Sequence, residues 1–220
     1  MSSCSSASGA ARLAVAATLM QAVESETLIL YHTDLRDEWP EAAARGFAAR
    51  LPYARRLAAR SGSEGQCASL AGVALALHSL ARLLGRRVRA GEIAFSPGKK
   101  PRLARPDAAA DFSIAHSGPW VGCAAVTRGR VGFDVELGTD PRCERWVLRE
   151  ALLKATGEGL RALGDTRALP SGAASVYWRG ARWYVEPLAL FTGAAACVVS
   201  GCARRGIEAH AIALGELFAA

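Results

Sequence analysis

The segment that most constrains the fold is GRVGFDVELG, in which Asp134 and Glu136 are separated by a single valine. Val131, Gly132, Phe133, Val135 and Leu137 around them read as a strand. Strand side chains alternate faces, so Asp134 and Glu136 share one face while Val135 points to the core. Two oxygen ligands on one rigid face thus come from three residues. Shortly afterwards comes RWVLREALLKATGEGL. Leu148, Ala151, Leu152 and Ala155 recur there at helical spacing, while Trp146, Glu150 and Lys154 recur at i, i+4, i+8 on another face. Gly157 and Gly159 supply the stop. Three carboxylates (Asp134, Glu136 and Glu150) and one ammonium on adjoining elements suggest a metal site that handles a phosphate. Hard oxygen ligands of this kind suit Mg²⁺ or Mn²⁺, with coordination positions left for water and a substrate phosphate. Taken singly, DVE could end an exposed strand and Glu150–Lys154 could be a surface pair. The two motifs in this order are the stronger signal.

A second cluster lies upstream, in DFSIAHSGPWVGCAAV. Phe112 and Ile114 fall on one face of a short strand that ends at Ala115-His116-Ser117-Gly118, and an apolar strand resumes at Val121. His116 therefore stands at a strand end, where a side chain can reach a ligand. Before it, SPGKKPRL is a turn carrying Lys99 and Lys100 ahead of Pro101. Of 27 basic residues only three are lysines, Lys99, Lys100 and Lys154. All three fall in these motifs, and a compact ammonium serves as a point charge on phosphate where an arginine fork requires a different geometry.

GKKPRL, FSIAHS, VGFDVE and WVLREALLKATGEGL, in that order, resemble the successive signatures of the 4′-phosphopantetheinyl transferases of the larger, surfactin-synthetase-activating type. The resemblance covers Glu92 to about Leu160 and continues more weakly through WYVEPLALFTGAAACVV, similar to the family's closing hairpin. It implies an α/β fold of two similar halves related by pseudo-twofold symmetry, with the cofactor site between them. The implied activity moves the phosphopantetheine arm of coenzyme A onto a serine of an acyl or peptidyl carrier protein, releasing adenosine 3′,5′-bisphosphate. By similarity, Asp134, Glu136 and Glu150 hold Mg²⁺ against the pyrophosphate. Glu150 is also the base for the carrier serine, Lys154 neutralises the phosphate under attack, and Lys100 with His116 binds the nucleotide end and its 3′-phosphate. Phosphoryl transfer asks mainly for alignment and charge neutralisation, which these residue types supply without a covalent nucleophile.

The chain departs from the family pattern in places. The usual Asn-Ile-Ser-His stretch is Ser113-Ile114-Ala115-His116 here, so a hydroxyl is replaced by a methyl group, and one phosphate contact is either lost or supplied by Ser117. The usual Lys-Glu is Arg149-Glu150. Only LGTDPRCER stands between the DVE strand and Trp146, where larger members carry an insertion that shapes the carrier groove. Gln66, Cys67 and Ala68 stand where the family places an arginine. Arg55, Arg56 and Arg60 are the candidate replacements for that nucleotide contact, though exposed arginines of an arginine-rich chain fit the same pattern.

The first half otherwise offers a strand at TLILYHTDL and a helix from about Gly65 to Leu84, with His78 packed inside it. Residues 1–26 read as a loose or helical extension rather than an export signal, because the start is serine-rich and Arg12 lies directly against the apolar stretch. The expected division into residues 27–105 and 106–220 falls near Arg105-Pro106, in a Pro/Ala-rich stretch. A chain of 220 residues buries roughly 70% of its unfolded surface, enough for a core without staples. Holding both halves, it is expected to act as a monomer. The net charge of +7 favours anionic partners. Scattered arginines without a basic, aromatic-interleaved run argue against nucleic acid. Six cysteines without metal spacing read as reduced thiols in the cytoplasm. His78 and Arg82 are expected to interrupt the one apolar run, leaving no membrane span. Two other classes share parts of this pattern: a metal-dependent phosphoesterase, and a non-catalytic relative that binds coenzyme A or a carrier protein.

Overall fold

The computed structural model describes residues 26–52, 63–96, 99–104 and 110–219. Arg55, Arg56 and Arg60, nearly all of the N-terminal extension and the Arg105-Pro106 division lie outside the described residues. The chain is mixed α/β with several sheets. Strand β1 (Glu26–Asp34) is followed by helix α1 (Glu41–Ala49), the long helix α2 (Ser63–Leu84), a 3-10 turn at Ala90–Glu92, and the short strands β2 (Ile93–Ala94) and β3 (Arg102–Leu103). Then come the strands β4 (Asp111–Ser117), β5 (Trp120–Val126) and β6 (Val131–Leu137), helix α3 (Pro141–Thr156) and a 3-10 helix at Leu160–Ala168. Strands β7 (Ser175–Trp178), β8 (Ala181–Pro187), β9 (Ala194–Ser200) and β10 (Arg204–Ala211) and the short α4 (Leu214–Leu217) complete it.

Two four-stranded sheets dominate, in the orders β10-β1-β5-β4 and β6-β9-β8-β7. The connectivity strand–helix–hairpin occurs twice: β1, α2, β4, β5 gives the order β1-β5-β4, and β6, α3, β8, β9 gives β6-β9-β8. Within both sets all neighbours are antiparallel. The change from one sheet to the other comes between Val126 and Val131, because β4 pairs with β5 and β5 with β1. The added edge strand β10 pairs parallel with β1 and has no counterpart in the sequence reading.

The alternation read in each strand decides the layers. Leu28 and Leu30 of β1, Ala115 of β4, and Val131, Phe133 and Val135 of β6 meet in one core between the sheets. On the outer face of the first sheet, Phe112, Val121 and Cys123 receive α2. On the outer face of the second, Cys197 and Val199 receive Val147, Leu148, Ala151, Leu152 and Ala155 of α3. The expected apolar face of α3 is thus the buried one.

Two expectations need correction. Helix α3 begins at Pro141, not near Trp146, because Asp140 caps it: Oδ1 accepts from the backbone N–H of Arg142 at 2.6 Å and of Cys143 at 3.3 Å, and Pro141 takes the first helical position. Most of the short connector is thereby helical. The stretch Gly65–Leu84 does have the length and mean hydropathy, 1.6, of a membrane-crossing helix despite His78 and Arg82. Its apolar residues are packed against the first sheet and α1 instead. Within it His78 lies with Nε2 3.2 Å from the Leu217 carbonyl oxygen, a packed position as expected.

Candidate functional site

The carboxylate strand and the helix meet because Gly132 leaves room for them. A Cβ on Gly132 would lie 1.8 Å from the Ala151 carbonyl oxygen and 2.6 Å from the Ala155 amide nitrogen, so α3 lies directly on β6. Asp134 and Glu136 are on the same strand face as Gly132, and Val135 is buried in the opposite core, as the alternation required. Two helical turns of α3 then present Glu150 and Lys154 to Asp134.

Lys154 is the centre of this group. Its Nζ donates to Asp134 Oδ1 at 2.6 Å and to the Phe133 carbonyl at 3.2 Å, and stands 3.9 Å from Glu150 Oε2. Asp134 is only 5% exposed. Burial pushes its carboxyl up to about 6. The Lys154 ammonium opposes that rise, and the negative charges of Glu150 and Glu136 add to it. At the far end of β6, Glu136 Oε1 accepts from Ser117 Oγ at 3.1 Å, and the same hydroxyl accepts from the Leu137 N–H at 3.1 Å. Ser117 is therefore tied to the carboxylate strand.

His116, its neighbour, leaves β4 on the other face. It is the Cα partner of Val121, which partners Thr33 of β1, so the three residues form a row across the first sheet, with Val121 and Thr33 buried and His116 exposed at the row's end. Gly72 of α2 approaches the Val121 and Ile114 side chains there, and Ser69 lies one turn before it. The Thr33 and Ser69 hydroxyls are buried, with no hydrogen-bond partner among the described residues. Sequence reasoning missed both, since neither belongs to a motif. Only the pairing of β1 with β5 puts Thr33 in the same row as His116, two strands away. Ala115, in place of the expected serine, points into the inter-sheet core, where its methyl group packs.

Lys100 is not brought to His116. Its Nζ donates to Asp111 Oδ2 and to the Val131 carbonyl, both at 2.6 Å, and burial lowers its pKa against the raising effect of Asp111. Asp111 also accepts from the Val131 N–H at 2.8 Å. Asp111 and Ser117 are at opposite ends of β4, about 20 Å apart at ~3.3 Å per residue. Lys100 thus bridges the two sheets rather than reaching the strand end.

Among the described residues, no group of three or more His, Cys, Asp or Glu side chains is drawn together closely enough to cage a metal ion. The donor chemistry nevertheless fits a hard divalent cation. Three carboxylates supply oxygen only, and burial of Asp134 raises the cost of its charge more than the Lys154 ammonium offsets. No family model matches the chain, and no curated protein matches it.

Proposed function

We propose that the chain is a phosphopantetheinyl transferase, taking the arm of coenzyme A to a serine of an acyl or peptidyl carrier protein. The observation that carries the proposal is that three sequence motifs meet around β6: Glu136 bonds Ser117 of the SIAHS strand, and Asp134 and Glu150 both flank Lys154. Such a group is suited to holding a divalent cation against a pyrophosphate. The recurrence of strand–helix–hairpin in both sheets supports two halves related by a pseudo-twofold axis, with coenzyme A between them.

Asp134, Glu136 and Glu150 would hold Mg²⁺, or Mn²⁺ in its place, and the ion would supply charge neutralisation on the pyrophosphate oxygens. The chain's own residues do the rest. Glu150, 18% exposed, keeps an oxygen accessible to take the proton of the carrier serine. Lys154 turns from Asp134 toward the phosphate under attack. His116, exposed at the end of β4, receives the nucleotide end, and Lys100 is a structural cation. A second reading, a coenzyme A binder without transfer, is favoured by Ala115, whose methyl group packs in the inter-sheet core where the family pattern has a serine hydroxyl.

Intact-mass spectrometry of apo carrier proteins incubated with the chain, coenzyme A and Mg²⁺ decides between them. A gain of one phosphopantetheine, abolished by EDTA, is expected. Measurable coenzyme A binding with no gain on any carrier establishes the non-catalytic reading.

A further inference from the structure

Helix α2 has a second functional face. Gly72 and Ser79 look at the first sheet, Ser79 Oγ donating to the Cys123 carbonyl at 3.3 Å. Ala74, Leu77, His78 and Ala81 recur at i, i+3, i+4, i+7 and lie about 180° away around the helix. They line a cavity of about 450 Å³ that is closed by α1, the segment after α2 and α4. This side of α2 is remote from Asp134, Glu150 and Lys154, which lie across both sheets from it.

The cavity has an apolar floor and a cationic rim. Phe47, Ala74, Leu77 and Leu217 form the floor, Arg87 and Arg89 stand at the mouth, and Arg50 at the end of α1 is a third lining guanidinium. No acidic side chain among the described residues lines it. The nearby Glu92 accepts from Arg86 at 2.8 Å and from the Arg89 backbone N–H at 2.9 Å, and lies in the adjoining concavity that Arg86, Arg87 and Arg89 share rather than in this cavity. Arg87 and Arg89 side chains are exposed. Small-molecule sites are commonly concave, largely apolar spaces of about 300–1,000 Å³ with a few polar groups that orient the ligand. A pocket in which every charge is a guanidinium selects an anion, and the guanidinium fork matches a carboxylate in two parallel hydrogen bonds.

We propose that this cavity binds a fatty carboxylate, with its chain on the floor between α1 and α2 and its head group on Arg87 and Arg89. The site is independent of the transfer reaction, and nothing in its argument requires that reaction. Isothermal titration of the full chain with decanoate, below its micelle concentration, is expected to show saturable binding with one site per chain. Decanol and decylamine, with the same chain but no negative charge, are expected to bind at least tenfold more weakly. Arg87→Glu combined with Arg89→Glu should weaken decanoate at least tenfold without changing the melting temperature of the free protein, because both side chains are exposed. Ala81→Trp, which fills the cavity from its partly exposed wall, should abolish binding. Absence of decanoate binding, decylamine binding as tightly as decanoate, or unchanged affinity in the double arginine variant overturns the proposal.

Discussion

Asp134 carries a buried negative charge that the fold tolerates poorly. Its carboxyl titrates near 6 in the folded chain, against 3.8 as the ordinary value, chiefly through burial. The folded state therefore holds this proton more tightly than the unfolded one. The resulting stabilisation is fully present below pH 3.8 and is lost as pH rises through 6, at a cost on the order of 3 kcal/mol. Asp134→Asn, which mimics the protonated form, should match the parent protein near pH 4 and exceed it by roughly 2–3 kcal/mol at pH 7, measured by urea denaturation in EDTA. A variant less stable than the parent at pH 7 would show that the Lys154 pair outweighs burial. Glu150 has a different role in the proposed reaction. Glu150→Gln should lower turnover about 100-fold or more and leave coenzyme A affinity nearly unchanged, and a loss confined to affinity removes it from the base position. The thiols of Cys123 and Cys197 are pushed up to about 12 by burial. Neither is expected to react with a disulfide reagent at pH 8 until denaturant is added, and labelling of the native protein at either position contradicts that burial.

At the scale of elements, close backbone approach sets where α3 rests on β6. Gly132→Ala would drive a methyl group into the backbone of α3, which cannot move aside without losing the Ala151 and Leu152 packing. A loss of about 3 kcal/mol or more in chemical denaturation is expected. Gly72 offers the contrast: its added Cβ would collide with the Ile114 Cγ2 at 2.6 Å and touch Val121 Cγ1 at 3.7 Å, side-chain atoms rather than backbone, so Gly72→Ala should cost less. Equal losses at the two glycines would place α2 as tightly on its sheet as α3. The β4–β5 turn has a third constraint. Gly118 has φ +52 and sits so close over Leu137 that a side chain there would collide with it, which keeps the His116–Ser117 end of β4 against the end of β6.

At the scale of the whole molecule, the two sheets are joined along β4 and β6 by side chains in place of a main-chain ladder. Asp111, Ser113 and Ser117, alternate residues of β4, bond the backbone of β6 at Val131, Phe133 and Leu137. Lys100, 11% exposed, and Asp111, 14% exposed, close one end of that seam. Asp111→Ala leaves a buried ammonium unpaired and should cost about 3–5 kcal/mol, whereas Asp111→Leu with Lys100→Met should recover much of it in the same denaturation assay. No recovery in the double variant would show that the Val131 hydrogen bonds matter more than the charge pair.

Much of this was legible from local periodicity. The alternation around Asp134, Val135 and Glu136, the apolar face of Leu148, Ala151, Leu152 and Ala155, and the spacing of Glu150 and Lys154 are properties of a few consecutive residues. A strand or helix imposes them wherever it packs. The partners of those residues were not legible. That Lys154 reaches Asp134, that Lys100 is taken by Asp111 at the far end of β4, that Thr33 joins His116 in one row, and that β10 lies parallel to β1 all depend on which sheets form and how they stack. His78 meets the carbonyl of a residue 139 positions away. The sequence alone determined which side chains share a face, because backbone geometry is local. Tertiary structure decided which faces meet, because burial and hydrogen-bond pairing are satisfied only across the whole chain.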